Sequence, residues 1–66
     1  MAHTWTDSEK AELANFFHLA KTACVPSQDR HVWKLWASDQ FHKAHPEVGH
    51  TAAYKELCRQ EAWRYA

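Results

Sequence analysis

The chain has 66 residues, with 8 basic and 8 acidic side chains and a formal net charge of zero. A chain this short makes one domain at most and buries only about 60% of its unfolded surface, which excludes a large core. Neutrality argues against a strong non-specific nucleic-acid binder, which normally carries a basic face.

Four Trp, three Phe and two Tyr are many for this length. Each aromatic buries roughly 150–250 Å². A small aromatic core is therefore expected to do what disulfides or a metal do in other mini-domains. Cys24 and Cys58 allow one bridge, but they read as two buried thiols acting as small hydrophobes. No apolar run is long enough to span a membrane and no signal peptide is apparent, so an intracellular setting is expected. The charge is unevenly placed. Residues 1–20 carry −2, residues 21–49 carry +1, and residues 50–66 carry +1.

Residues 1–5 form a tail. Thr6-Asp7-Ser8-Glu9 has the form of a capping box, in which the Thr6 hydroxyl accepts from the Glu9 amide and the Glu9 carboxylate reaches back. Leu13, Phe16, Phe17, Ala20 and Cys24 recur at helical spacing, predicting a first helix over about residues 7–23. Trp5 can fold over the start of that face. Val25-Pro26 breaks the helix, since the residue before a proline is pushed out of helical geometry. Ser27 is the expected cap of a second helix over about 28–44. Its inward face is Trp33, Trp36, Ala37, Gln40, Phe41 and Ala44; Leu35, Ser38, Asp39 and His42 face outward. Pro46 and Gly49 end that helix and shape a turn. Thr51 is the expected cap of a third helix over about 52–64.

Stepping roughly 100° per residue along the third helix puts Tyr54, Leu57, Cys58, Glu61 and Tyr65 on the core side. Ala52, Glu56, Arg59 and Trp63 fall opposite, with Lys55 and Gln60 flanking. The predicted fold is all-α: a three-helix, homeodomain-like bundle whose last two helices form a helix-turn-helix. In such a unit the second helix enters the major groove, with its N-terminal residues near base edges. Here that nominates His50, Thr51, Ala52, Lys55 and Arg59 as DNA contacts. Lys34 and Lys43 of the preceding helix are nominated for phosphates, which fix register rather than sequence. An exposed Trp63, Leu35 or the acidic first helix would instead suit a protein partner.

Other chemistry finds little footing. His42-x-x-His45 with His50 resembles part of a zinc site, but four ligands are needed and neither cysteine is near in sequence. A Cys/His nucleophilic pair needs a substrate pocket, for which three short helices leave little room. Gly49 is the only glycine, so there is no phosphate-binding loop. No enzyme, cofactor, metal or small-molecule substrate is expected.

The residues resemble a Myb/SANT-type domain. The carriers are Trp5-Thr6-Asp7-Ser8-Glu9 opening the first helix, Leu13 and Phe17 within it, and Trp33 opening the core face of the second. His45-Pro46 and His50-Thr51 then lead into the third helix, with Tyr54 at the place of the third core aromatic. Among Myb types the chain is most similar to the telomere repressor–activator class, through its long first connection and its His-Pro…His-Thr turn. The resemblance implies a non-catalytic module in a nuclear protein of transcription or telomeres, binding DNA through the third helix. The chain departs from the pattern in its longer Trp5-to-Trp33 interval, in Tyr54 for tryptophan, and in a third helix with few Lys/Arg and with Glu56 and Glu61. Some Myb-like and SANT domains contact proteins instead, including histone tails. A protein-interaction domain without DNA binding is thus the alternative, as is a small accessory protein of a virus or mobile element.

Overall fold

The computed structural model describes residues 3–65, with side chains through residue 61. It is an all-α bundle of three helices: α1 (Asp7–Leu19), α2 (Arg30–Ala44) and α3 (His50–Tyr65). There is no strand among the described residues. The radius of gyration, 11.1 Å, is what a folded chain of this length shows, about 11 Å.

Each helix boundary has a local cause. Both halves of the capping box are formed: Glu9 N donates to Thr6 Oγ1 at 3.2 Å and Thr6 N donates to Glu9 Oε1 at 3.0 Å. The Thr6 amide, foremost, holds the Glu9 carboxyl below its ordinary pKa. α1 continues into a π-helical turn, Ala20–Cys24, closed by Val25 N donating to Ala20 O at 3.2 Å. Val25, ahead of Pro26, is extended, as the proline requires.

The second cap differs from expectation. Asp29, not Ser27, caps α2: its Oδ1 accepts from His31 N at 2.9 Å, while Ser27 Oγ accepts from Asp29 N at 3.0 Å. The backbone of Ser27 is used elsewhere, since its carbonyl accepts from Trp33 Nε1 at 2.8 Å. That bond ties the linker to the core and delays the helix to Arg30. α3 likewise begins earlier than expected. Ala53 N donates to Gly49 O at 3.1 Å, so Thr51 lies inside the first turn rather than at its cap.

The core is Leu13, Ala37, Phe41, Val48, Ala53 and Leu57, with Trp5, Phe16, Phe17 and Trp36 at its margin. Trp33 is buried and meets Phe17 edge-on at 6.0 Å between ring centroids. Trp5 belongs to this core and not to a tail, with its ring 5.2 Å from that of Phe41. Four further positions depart from the sequence reading. Cys24 is exposed at the π-helical turn, 34 residues of sequence from Cys58, and both thiols are free. Ala44, the last residue of α2, is exposed. Ser38 is fully buried because its hydroxyl is satisfied locally, donating to Lys34 O at 2.6 Å. Glu56 is also buried. The inward face of α3 is therefore Ala53, Glu56 and Leu57, rotated from the one expected, and Tyr54 instead places its hydroxyl 2.6 Å from His31 Nδ1.

The turn between α2 and α3 is fastened from both sides. His42 Nδ1 donates to Val48 O at 2.7 Å, and Val48 N donates to His45 O at 2.9 Å. His45 caps α2 and stacks on Phe41 at 4.5 Å. Its Nε2 lies 2.7 Å from Glu12 Oε2 of α1, and its Nδ1 lies 3.6 Å from Glu47 Oε1 of the turn. The hydrogen bond to Glu12, then the charges of Glu12, Glu47 and Glu9, raise its pKa above the ordinary histidine value. A raised histidine pKa stabilises the fold fully below the unfolded value of about 6.5 and loses that effect as pH rises through the folded one. Melting temperature is therefore expected to fall as pH rises above about 6.5, and Glu12→Gln to shrink that fall. An identical pH dependence in the variant would show that the pair contributes nothing.

Candidate functional site

The two helices of the helix-turn-helix are joined by residues 45–49. Along α3, Thr51, Lys55 and Arg59 are all exposed and follow one another at i, i+4 and i+8, so they form one stripe on the helix surface. Ala52 is half-buried beside them. An open groove of about 380 Å³ runs along this stripe, lined by Thr51, Ala52, Lys55, Glu56 and Arg59 of α3 and, from the N-terminal arm, by His3 and Trp5. Four of the residues nominated from sequence are thus brought together. His50, at the first position of α3, is half-buried and does not line the groove.

The arm is held in place by its own contacts. His3 meets Trp5 edge-on at 4.9 Å and has its Nε2 3.1 Å from Glu9 Oε2. The wall it forms is indole and imidazole. On the opposite wall the cations are in different states. Lys55 is exposed and has no ion pair or hydrogen bond among the described residues. Arg59 is engaged: its Nε donates to Glu56 Oε1 at 2.9 Å and its Nη2 to Glu56 Oε2 at 2.6 Å. Arg59 foremost, with Gln60, holds the Glu56 carboxyl below its ordinary pKa. Gln60 Nε2 bridges Glu56 Oε2 at 3.3 Å and Lys10 O of α1 at 3.4 Å, tying this pair to the bundle.

The α2 lysines stand apart. Lys34 was expected at phosphates, but it is spent inside the molecule. Its Nζ lies 3.1 Å from Glu61 Oε2, 3.7 Å from Cys58 Sγ and 5.5 Å from the Tyr54 ring centre. Arg30 joins the same carboxylate at 3.2 Å, so Glu61 fastens α2 to α3. Lys43 is exposed and paired with Asp39 at 3.1 Å, one helical turn away. Leu35 is exposed as expected, at 39%. Trp63 lies outside the residues whose side chains are described.

Sequence reasoning missed Glu56 and the arm as parts of this site. The Glu56-x-x-Arg59 spacing was the available signal for the first, since side chains three apart on a helix meet. Nothing in sequence marked His3. The three histidines considered for zinc are not assembled, and no group of three metal-ligating side chains exists among the described residues. No family model, curated protein or solved structure matches the chain.

Proposed function

We propose that the chain is a non-catalytic, Myb-like DNA-binding module of a nuclear or chromosomal protein, contacting duplex DNA through α3. The observation that carries this reading is the stripe Thr51–Lys55–Arg59 on the second helix of a helix-turn-helix, open along its length and bearing an ammonium without a counter-ion among the described residues. The stripe runs about 12 Å, the rise of three to four base pairs. Lys55 supplies phosphate attraction; the groove gives the helix a flank against which the duplex can seat. Few cations are available, so affinity is modest and salt-dependent.

The test is a titration with mixed-sequence duplex at 50 and 200 mM salt. One lysine–phosphate contact corresponds to a roughly threefold fall in affinity over that range. Lys55→Ala is expected to lower the logarithmic salt slope by about 1. A slope unchanged by Lys55→Ala overturns the assignment. One observation favours a second reading, a protein-contact surface: Arg59 is neutralised by Glu56 beside an indole wall. Binding that ignores salt, or no duplex binding at all, would support it.

A further inference from the structure

The geometry points to Arg59 as a guanine-reading side chain that Glu56 holds in position. This rests on the reading of α3 as the DNA-contacting helix and says what that helix recognises.

The assignment follows from which donors are taken. A guanidinium has five N–H donors in a planar fork. Glu56 accepts from Nε and from Nη2, which occupies one edge of the fork. The other edge, shared by Nη1 and Nη2, has no partner among the described residues and remains for a ligand that offers two acceptors side by side. Arg59 is 57% exposed while Glu56 is 6% exposed. The clamping carboxylate is therefore buried, and the guanidinium is the part of the pair that solvent reaches. Gln60 fixes Glu56 in turn, through contacts to Glu56 and to the α1 backbone. Arg59 is thus pre-oriented before any ligand arrives, and little side-chain entropy remains to be lost on binding.

Charge then selects the ligand. The carboxylate beneath Arg59 cancels its charge locally and repels a phosphate, whose attraction is mainly electrostatic. Guanine presents O6 and N7 as two neutral acceptors in the major groove, matched to an arginine fork. The two cations of the stripe divide the work: Lys55, without a counter-ion among the described residues, takes the backbone, and Arg59 takes a base edge. Glu56 touches no DNA in this scheme. It is a positioning residue.

The experiment measures affinity for two duplexes of equal length, one containing G·C pairs and one of A·T pairs alone, with the wild type, Glu56→Gln and Arg59→Lys. The wild type is expected to prefer the G·C duplex by between about 5-fold and 150-fold, the range of one bidentate base contact. Arg59→Lys keeps the charge but loses the fork, and Glu56→Gln keeps the shape but loosens the clamp. Both are expected to cut the preference to under about 3-fold. Arg59→Lys still binds the A·T duplex with a wild-type salt slope, whereas Glu56→Gln, which frees the Arg59 charge for phosphate, binds it with a steeper one. In the free protein, the Arg59 Nε–H resonance is expected to move in Glu56→Gln, reporting the broken clamp. A wild type that binds both duplexes equally, or an Arg59→Lys variant that keeps the preference, overturns the guanine assignment and leaves DNA binding standing. A wild type that binds neither duplex overturns both.

Discussion

Phe41→Ala is expected to leave the chain largely unfolded at 25 °C. Phe41 is fully buried, stacks on His45 and also meets the ring of Trp5. It therefore joins the core of α2 to the arm before α1 and to the end of its own helix. Truncating a buried phenylalanine costs about 3–5 kcal/mol. A domain of this size has roughly 3–10 kcal/mol in total, so the loss approaches or exceeds the whole. Even at the favourable end, melting temperature is expected to fall by about 12 °C or more. The groove goes with the core, because Trp5 forms its wall while resting on Phe41. Thermal melts by circular dichroism check this, and a fall of only a few degrees would mean that the ring cluster does not hold the bundle together.

The second large effect is expected at Val48, in the turn that Pro46 and Gly49 shape. Val48 is fully buried, and its backbone is held by His42 on one side and His45 on the other. Val48→Asp places an uncompensated charge in the core, a defect worth about 3–5 kcal/mol, and it does so at the hinge that sets α3 against α2. Val48→Ala removes only part of the about 1.5–3 kcal/mol that burying a valine contributes, so it is expected to fold. The pair separates charge from volume. Proton–nitrogen correlation spectra are expected to collapse for Val48→Asp and to keep their dispersion for Val48→Ala. A well-dispersed spectrum for Val48→Asp would place this side chain in solvent.

Sequence carried the fold well because three local codes agreed. The Thr6–Glu9 box opens α1, Pro26 closes its extension, and Trp33, Ala37 and Phe41 recur at helical spacing on a face that is in fact buried. The faces of α3 were less legible. Among its described residues the only strong apolar anchor is Leu57, and alanine, tyrosine and cysteine around it give no sharp direction. The helix settles with Ala53 and the stem of Glu56 inward, because the Glu56 carboxylate finds Arg59 and Gln60. That partner lies three residues on and shows no hydrophobic signature. Lys34 escaped for the same reason: a lysine on a helix reads as a solvated charge until Glu61 is seen to approach it from another helix. Such pairs depend on how the helices are set against each other, which periodicity does not encode.

The stripe was legible in part: its three residues read as contacts, but Thr51 read as the cap and Lys55 as a flank of the face that carries Arg59. Thr51, Lys55 and Arg59 share a face under any rotation of the helix, and their place after the turn follows from chain order. What the folded chain adds is the arm across from them and the difference in state between the two cations.

The most direct test of α3 as the DNA-contacting element is a duplex titration followed residue by residue by proton–nitrogen NMR, at low and high salt. Shift changes concentrated at Thr51, Ala52, Lys55 and Arg59, with His3 and Trp5 following and all of them fading at high salt, are the expected result. Spectra that do not move, or shifts confined to the α1 surface opposite the groove, would contradict it.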